Sequence, residues 1–252
     1  MEKVIITGAS KGIGKAMAFE YAKQGADLFL IARNQNELAE ICQLLSLINC
    51  KSNYYACDIS NKQELNKALT KAIEFLSGID TVILNAAINM PDSFSEYSSD
   101  VLKRIFEVNV FSLSYTFEFL IPFMKKQKHG TFVGFSSLAG VRGFPGNASY
   151  CASKIAVSHI LEGARIQLEK FGINVITVKP GFVATQMTER IKYYLPFLLT
   201  SEQAAKFIIN KIKTGKKHIY FPLPTFIASQ IIGFLPARLY EPLMIKINKE
   251  FY

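Results

Sequence analysis

A tyrosine and a lysine lie one helical turn apart in the stretch Tyr150-Cys-Ala-Ser-Lys154. Residues at positions i and i+4 of a helix share one face, so both side chains can reach the same ligand. A nearby ammonium group stabilises a phenolate and would lower the tyrosine pKa from its usual value of about 10, which suits acid/base catalysis. This spacing is common, so it indicates chemistry only where the fold supports it.

A serine pair follows the apolar run 131–135, which predicts a buried strand. Ligands of parallel sheets bind beyond the carboxyl ends of the strands, where Ser136 and Ser137 would lie. The Ser137 hydroxyl could therefore hydrogen-bond the same substrate oxygen as Tyr150.

Three glycines follow the first apolar run, in Thr7-Gly8-Ala-Ser-Lys-Gly12-Ile-Gly14-Lys15-Ala16. Glycines allow a close approach to phosphate, and the start of a helix favours negative charge. An ATP-binding P-loop would need glycine where Ala9 stands and a hydroxyl where Ala16 stands, so that interpretation fails. The loop predicts a dinucleotide site, with an ordinary tight turn as the alternative.

The end of the second predicted strand bears on which dinucleotide would bind. An acid there would bind the 2′-hydroxyl of NAD, whereas an arginine accommodates the 2′-phosphate of NADP. The sequence has Ala32-Arg33-Asn34, with no acid. Arg33 and Lys11 therefore favour NADP(H), unless both are ordinary surface cations.

Apolar runs alternate with helical patterns, which predicts one doubly wound, Rossmann-like α/β domain with a parallel seven-stranded sheet and helices on both faces. The predicted strands are 4–7, 28–32, 53–57, 81–84, 131–135, 173–178 and 218–221. The predicted helices are 13–24, 34–47, 61–78, 98–126 with a break near Pro122, 148–171, 201–212 and 225–235.

Together these features resemble the short-chain dehydrogenase/reductase family. The resemblance spans about residues 3–185 and rests on the glycine loop, Asn85-Ala86-Ala87, Asn109, Ser137, Tyr150, Lys154 and Pro180-Gly181. It departs from the family pattern at Ala87, where the family usually has glycine and a methyl group could change cofactor packing.

The resemblance implies roles for the matching residues. Tyr150 would be the general acid, Lys154 would hold the nicotinamide ribose and tune Tyr150, Ser137 would position the carbonyl, and Asn109 would hold a water. Asp58 would contact the adenine, and Asn85 would tie strands together below the cofactor. The implied cofactor-binding residues are Gly8, Ser10, Lys11, Gly12, Ile13, Gly14, Arg33, Asp58, Ile59, Asn85, Ala86, Tyr150, Lys154, Pro180, Gly181, Val183 and Thr185.

The overall composition limits the kinds of partner and cofactor that we expect. Half of the 252 residues are hydrophobic and the net charge is +9, which indicates an anionic partner or simply a basic, solvated surface. Lysine and arginine are spread along the chain without a nucleic-acid-binding motif, so we expect no nucleic acid. The four cysteines form no C-x-x-C pair, so we expect no metal and no disulfide framework. The chain begins almost directly with strand residues, which predicts no signal peptide and a cytoplasmic location.

The residues after Thr185 carry no motif. We divide the single domain 1–252 into a cofactor and catalytic core (1–185), a substrate lid (186–200) and an apolar C-terminal extension (222–252). The lid contains Tyr-Tyr-Leu-Pro-Phe-Leu-Leu, which suggests an apolar substrate or a packing lid. Segment 222–238 is nearly uncharged with basic flanks. It suits a membrane surface, as in lipid- and steroid-acting reductases of the family, or else a subunit interface or a self-covering helix.

The sequence thus predicts an NADP(H)-dependent oxidoreductase that interconverts an apolar, lipid- or steroid-like ketone or aldehyde and its alcohol. Two alternatives are a reductase of small soluble carbonyls and a non-catalytic NADP(H)-sensing regulator. By resemblance we expect a homodimer or homotetramer.

Overall fold

Seven parallel strands form the centre of the computed structural model, which describes residues 1–189 and 195–251 and the side chains up to residue 247. The strands are β1 (Lys3–Thr7), β2 (Asp27–Ala32), β3 (Ser52–Ala56), β4 (Thr81–Leu84), β5 (Gly130–Phe135), β6 (Ile173–Pro180) and β7 (His218–Phe221). They pair in the order β3-β2-β1-β4-β5-β6-β7, which confirms the predicted doubly wound sheet.

Helices connect the strands and cover both faces of the sheet. They are α1 (Gly12–Lys23), α2 (Gln35–Ser46), α3 (Lys62–Leu76), α4 (Ser99–Phe106), α5 (Ser112–Gln127), α6 (Ala148–Leu168), α7 (Ser201–Lys213), α8 (Leu223–Phe234) and α9 (Ala237–Phe251). Asn34 and Asn61 cap α2 and α3 through their side-chain oxygens, as residues of this type commonly do. Helix α9 has no counterpart among the sequence predictions.

The core has two layers, one on each face of the sheet. Apolar side chains of α1, α2 and α7 pack on one face, including the fully buried Met17, Leu38 and Ile208. Those of α3, α5 and α6 pack on the other, including Leu69, Leu120 and Leu161. The inner strands β2, β1, β4 and β5 are buried from both sides, which explains their near-continuous apolar sequences.

The predicted helix break near Pro122 is wrong. Pro122 lies inside α5, and it is exposed while Leu120 and Met124 beside it are buried. The carbonyl group left without its helical donor can therefore be hydrated while the buried face anchors the helix. The irregularity occurs earlier, as a π-helical turn at Glu107–Phe111 that contains Asn109. Such turns often mark functional sites.

The strand order reverses between β1 and β4. A crevice opens beyond the carboxyl ends of strands at such a point, and ligands of doubly wound folds bind there. In the part of the chain described, no helix is both long and apolar enough to cross a bilayer.

Candidate active site

The glycine loop joins β1 to α1 in a conformation that requires glycine. Gly8 and Gly12 have φ values of +67° and +54°. A Cβ atom at Gly14 would lie 2.2 Å from the Gly8 carbonyl oxygen, so Gly14 allows the loop to fold back on itself. Gly14 is buried beneath the loop rather than lining the cleft. Its contribution is therefore to shape the loop.

Asn85 holds the loop from below. Its Nδ2 atom donates hydrogen bonds to the carbonyl oxygens of Thr7 and Gly8, each at 3.2 Å. The Thr7 hydroxyl in turn donates to the Ile83 carbonyl oxygen at 3.1 Å. These bonds connect the ends of β1 and β4 at the point where the strand order reverses, as the resemblance implies for Asn85.

Tyr150 and Lys154 share one face of α6, but their electrostatics differ from the sequence expectation. Burial raises the pKa of Tyr150 to about 12, although hydrogen bonding with Ser137 acts in the opposite direction. No lowering by Lys154 outweighs this burial: the Lys154 Nζ atom donates to the Phe135 carbonyl oxygen at 3.0 Å and lies 5.5 Å from the centre of the Tyr150 ring. Tyr150 is therefore a neutral phenol at neutral pH, the form that can donate a proton.

Lys154 is itself buried, with 3% of its surface exposed. Burial lowers its pKa to about 8, since the charged form loses hydration. The side chain is still mainly an ammonium group at neutral pH. It thus places a cation and hydrogen-bond donors at the floor of the crevice.

Ser137 is the second residue after β5 and caps a short 3₁₀ turn, Leu138–Val141. Its Oγ atom accepts a hydrogen bond from the Ala139 backbone N–H at 3.1 Å. The neighbouring Ser136 points into the core, where its hydroxyl donates to the Lys154 carbonyl oxygen at 2.7 Å. Of the two serines, Ser137 is thus the one beside the Tyr150 hydroxyl, as expected from the sequence.

Asn109 lies behind the crevice and does not line it. Its Oδ1 atom accepts from the Ile88 backbone N–H at 2.8 Å, and its Nδ2 atom donates to the Ile88 carbonyl oxygen and to the Ser153 hydroxyl, both at 3.0 Å. The side chain therefore fixes the segment after β4 to α6. The water-holding role that the resemblance implies for Asn109 stays a prediction.

A cleft of about 680 Å³ runs across the carboxyl edge of the sheet. It brings together Gly8, Ser10, Lys11, Gly12, Ile13, Arg33, Asp58, Ile59, Asn85, Ala86, Ser137, Tyr150, Lys154, Pro180, Gly181, Val183 and Thr185. Ala87, where the sequence departs from the family pattern, also lines it. Among the predicted site residues, only Gly14 and Asn109 are absent from its walls, and no metal-ligand cluster occurs among the described residues.

One end of the cleft has a charged wall that the sequence prediction covered only in part. Arg33 is exposed there, and Lys11 forms a 2.8 Å ion pair with Glu37. Partial burial alone would raise the Glu37 pKa, but hydrogen bonds from Lys11 and Ser10 outweigh it and lower the pKa. Glu37 was not predicted from the sequence, because an acid three residues after the Asn34 cap is typical of a helix start and does not by itself indicate a ligand site.

Asp58 has a partner that sequence reasoning also missed. Its carboxylate accepts from Arg104 Nη2 at 2.5 Å and from the Ser60 hydroxyl at 2.7 Å. Burial would raise the Asp58 pKa, yet these hydrogen bonds and the Arg104 charge lower it. Arg104 comes from α4, and no local pattern connects residues so far apart in the chain.

A second cavity, of about 540 Å³, meets the cleft at Ser137 and Tyr150. The two share Ser137, Tyr150, Pro180, Gly181, Met187 and Thr188. Its other walls are mainly apolar and include Leu138, Phe144, Cys151, Phe182, Phe197 and Ile232. The predicted lid 186–200 thus borders both cavities, while its residues 190–194, including the tyrosine pair, lie outside the described residues.

Helices α8 and α9 roof this second cavity, which we call the apolar pocket. Thr225, Ala228 and Ile232 of α8 line it together with Met244 of α9. Arg142, just after the 3₁₀ turn, donates to the Ile232 carbonyl oxygen at 3.4 Å and to that of Leu235. The C-terminal extension therefore covers the chain's own core with one of its faces.

Tyr240 of α9 completes this attachment. Its hydroxyl donates to the Gly143 carbonyl oxygen at 2.8 Å, and the Arg142 guanidinium lies 4.8 Å from the centre of its ring. The Arg142–Tyr240 clamp thus joins the roof to the segment that begins at Ser137. No sequence motif marks either residue.

The family model described as "short chain dehydrogenase" matches residues 2–194. The chain is 32% identical over 232 residues to bovine (Bos taurus) short-chain dehydrogenase/reductase family 16C member 6, covering 89% of this chain and 73% of that protein. It is 29% identical over 240 residues to human 17-beta-hydroxysteroid dehydrogenase 13, covering 94% and 80%. An uncharacterised oxidoreductase of Myxococcus xanthus is 27% identical, with 94% of each chain covered.

Solved structures share the fold. A short chain dehydrogenase/reductase from Burkholderia phymatum in complex with NAD superposes with a TM-score of 0.83 at 22% identity, covering 91% of this chain and 92% of that one. A short-chain dehydrogenase from Sphingobium yanoikuyae in complex with NADPH gives 0.81 at 23% identity, covering 88% and 89%. The fold and the Ser137–Tyr150–Lys154 arrangement agree with the matched family model. The chain therefore belongs to the short chain dehydrogenase family of oxidoreductases.

Proposed function

We propose that the protein is an NADP(H)-dependent oxidoreductase that interconverts an apolar ketone or aldehyde and its alcohol. The observation that carries the proposal is the junction of the polar cleft and the apolar pocket at Ser137 and Tyr150. A cofactor in the cleft and a substrate in the apolar pocket would meet at the Ser137 and Tyr150 hydroxyl groups, since both residues line both cavities.

The cleft fits a dinucleotide in three respects. Glycines that cannot carry a side chain expose the loop backbone and the N-terminus of α1 to a diphosphate. Asp58 and Ile59 border the region expected for adenine, and Val183 and Thr185 border that expected for the nicotinamide amide. When bound, the nicotinamide would supply or accept the hydride.

The chain's own residues would handle the proton and the developing charge. The neutral Tyr150 phenol would donate a proton to the carbonyl oxygen during reduction. The Ser137 hydroxyl would hydrogen-bond the same oxygen and stabilise its developing negative charge. The Lys154 ammonium would bind ribose hydroxyls and offset the negative charge left on Tyr150 after the proton transfer. Asn109 would act indirectly, by holding α6 against the segment after β4.

Cofactor preference would depend on the charged wall. Arg33 offers a cation to the 2′-phosphate of NADP(H), and a guanidinium can bind phosphate through two hydrogen bonds. Glu37 opposes this preference by neutralising Lys11, so Lys11 would assist only if its ion pair rearranges. Of the two similar structures described above, one is a complex with NAD and the other a complex with NADPH.

Substrate class would depend on the apolar pocket. Its apolar walls and its volume of about 540 Å³ suit a lipid- or steroid-like molecule with one carbonyl group directed at Tyr150. The human relative is named as a hydroxysteroid dehydrogenase, a name that favours the same class.

A substrate panel tests the proposal. The purified protein with NADPH, or with NADH, is incubated with steroidal and long-chain ketones and with small soluble ketones, and cofactor absorbance is followed. We expect turnover of the apolar ketones with NADPH. Turnover of small ketones alone would favour a reductase of soluble carbonyls. NADPH binding without any turnover would favour the regulatory alternative.

We further propose that the outer face of the C-terminal extension contacts a membrane surface from the cytoplasmic side. Large apolar side chains on that face are exposed, among them Leu223, Ile227, Ile231, Phe234, Leu239 and Ile245. Since the inner face already covers the apolar pocket, the outer face is left for another surface. Homodimer or homotetramer formation stays a prediction, to be measured by light scattering.

A further inference from the structure

A cluster of basic side chains lies at the β7 edge of the sheet, away from the cleft. Lys179 and Thr177 of β6 stand beside Tyr220 and His218 of β7, in register on one face of the sheet. Arg165 of α6 reaches the same place, where its Nε atom donates to the Val175 carbonyl oxygen at 2.8 Å and its Nη2 atom to the Thr177 hydroxyl.

The cluster has an excess of positive charge. Among the residues that the structure describes, no carboxylate pairs with Lys179, Arg165 or His218, and Glu162 is the nearby acid. Burial lowers the pKa of Lys179 and outweighs the nearby Glu162 charge, which raises it, while the Arg165 charge adds a smaller lowering. Two half-buried cations without an ion-pair partner, Lys179 and Arg165, form a place where an anion would be stabilised. Burial and these two charges lower the pKa of His218 beside them, so that its imidazole is neutral at neutral pH.

Aromatic rings connect this cluster to the exposed apolar face of α8. Lys179 Nζ lies 5.9 Å from the centre of the Tyr220 ring. Tyr220 stacks on Phe226 with ring centres 4.5 Å apart and planes at 2°. Phe226 then begins a shallow apolar groove formed with Ile227, Gln230, Ile231 and Phe234. A charged end and an apolar end are therefore continuous on one surface.

We propose that this surface binds an anionic phospholipid of a bilayer, with the headgroup phosphate at Lys179 and Arg165, beside His218, and an acyl chain along the α8 groove. The proposal rests on the membrane contact proposed above and adds a specific headgroup site to it. Charge complementarity selects the occupant: a neutral partner would leave the cations unpaired, and a second copy related by a twofold axis at this edge would bring like charges together.

Vesicle co-sedimentation of the full chain tests the site. One vesicle preparation is pure phosphatidylcholine, and the other contains phosphatidylglycerol as the anionic component. We expect wild-type protein to bind the anionic vesicles more tightly. Lys179→Gln should lower that binding by roughly fivefold, the typical effect of one basic residue near an anionic surface. Lys179→Arg should restore it, because the charge is kept.

Lys206→Gln is the matched control. Lys206 is exposed on α7, which packs on the opposite face of the sheet, and the charge change is the same. The headgroup site is overturned if both glutamine variants lose binding equally, since the attraction would then be diffuse. It is also overturned if the Lys179 variants change self-association rather than vesicle binding. Thermal melting of every variant checks that the fold is intact.

A further variant separates this inference from the broader membrane proposal. Ile231→Ser with Phe234→Ser should reduce binding to both kinds of vesicle. If it does so while Lys179→Gln has no effect, the membrane contact stands and the headgroup site fails. If the wild-type chain binds neither vesicle, both fail. The reductase proposal is independent of these outcomes, because no measurement here uses turnover.

Discussion

The cofactor cleft and the apolar pocket meet at Ser137 and Tyr150, but different kinds of side chain line them. The cleft presents charged groups at defined positions, such as Arg33, Glu37 and Asp58. The apolar pocket presents aliphatic and aromatic surfaces from the 3₁₀ turn, α8 and α9. Charges distinguish ligands that differ by a phosphate, whereas an apolar wall distinguishes a methylene group by only about 1–3 kcal/mol. The difference predicts a selective cofactor site beside a tolerant substrate site.

The largest effect is expected at the junction of the two cavities. Tyr150→Phe removes the proton donor while keeping the ring, so kcat should fall by about 10²–10⁴-fold. The NADPH dissociation constant, measured by fluorescence titration, should stay within about twofold of wild type. A variant that retained most of its turnover would remove Tyr150 from the mechanism.

The next largest effect is expected at the charged wall. Arg33→Asp replaces a cation for the 2′-phosphate with an anion, so kcat/KM for NADPH relative to NADH should fall by roughly 30-fold, equivalent to about 2 kcal/mol. The steady-state constants for both cofactors provide the measurement. An unchanged ratio would show that the cofactor preference lies elsewhere.

Glu37→Gln is the reciprocal variant for the same wall. It should release Lys11 from its ion pair and move the ratio modestly toward NADPH. The apolar pocket does not include Glu37, so KM for the carbonyl substrate should stay unchanged. A change in that KM would mean that the two cavities are not independent.

The pH dependence tests the assignment of charge at the junction. The pKa of Lys154 is lowered to about 8, so its ammonium form is present below that pH and is lost as the pH rises through it. kcat/KM for NADPH, which reports the free enzyme, should therefore be level below about pH 8 and fall up to tenfold per unit above it. Since the Tyr150 pKa is about 12, a decline that began only above pH 10 would assign the titration to Tyr150 instead.

The smallest effect is expected at the roof of the apolar pocket. Arg142→Ala removes hydrogen bonds to the Ile232 and Leu235 carbonyl oxygens, so the roof should loosen and KM for an apolar ketone should rise about fivefold, or about 1 kcal/mol. KM for NADPH should not change. Arg238→Ala, at an exposed arginine of α9, is the matched control and should behave as wild type. Equal effects of both variants would mean that lost charge, not the clamp, is responsible.

Local sequence patterns predicted most of the strands and helices, because hydrophobic periodicity and turn conformation depend on residues close together in the chain. Alternating apolar runs and helical spacings placed all seven strands to within two residues at their ends, and the glycine spacing excluded a P-loop. The proline at position 122 misled the prediction, since a solvent-facing proline is tolerated in a helix with a buried opposite face. The π-helical turn at Asn109 carries no local signature, because a wide turn forms where tertiary contacts favour it.

Partners distant in the chain could not be predicted in the same way. Asp58 pairs with Arg104, and Asn109 turns its amide to Ile88 and not to the cleft. The expected lowering of the Tyr150 pKa by Lys154 failed for a related reason. Spacing along a helix says that two side chains share a face, but burial and a competing carbonyl oxygen decide how they interact.

The sequence by itself determined the family, the sheet and which residues surround the cleft, because strand patterns, glycine conformations and residue types act over a few positions. Only the tertiary structure decided that Tyr150 is a neutral phenol, that Glu37 neutralises Lys11, and that α8 presents one face to the apolar pocket and another to the surroundings. These depend on desolvation and on contacts between residues remote in the chain, and neither is encoded in spacing alone.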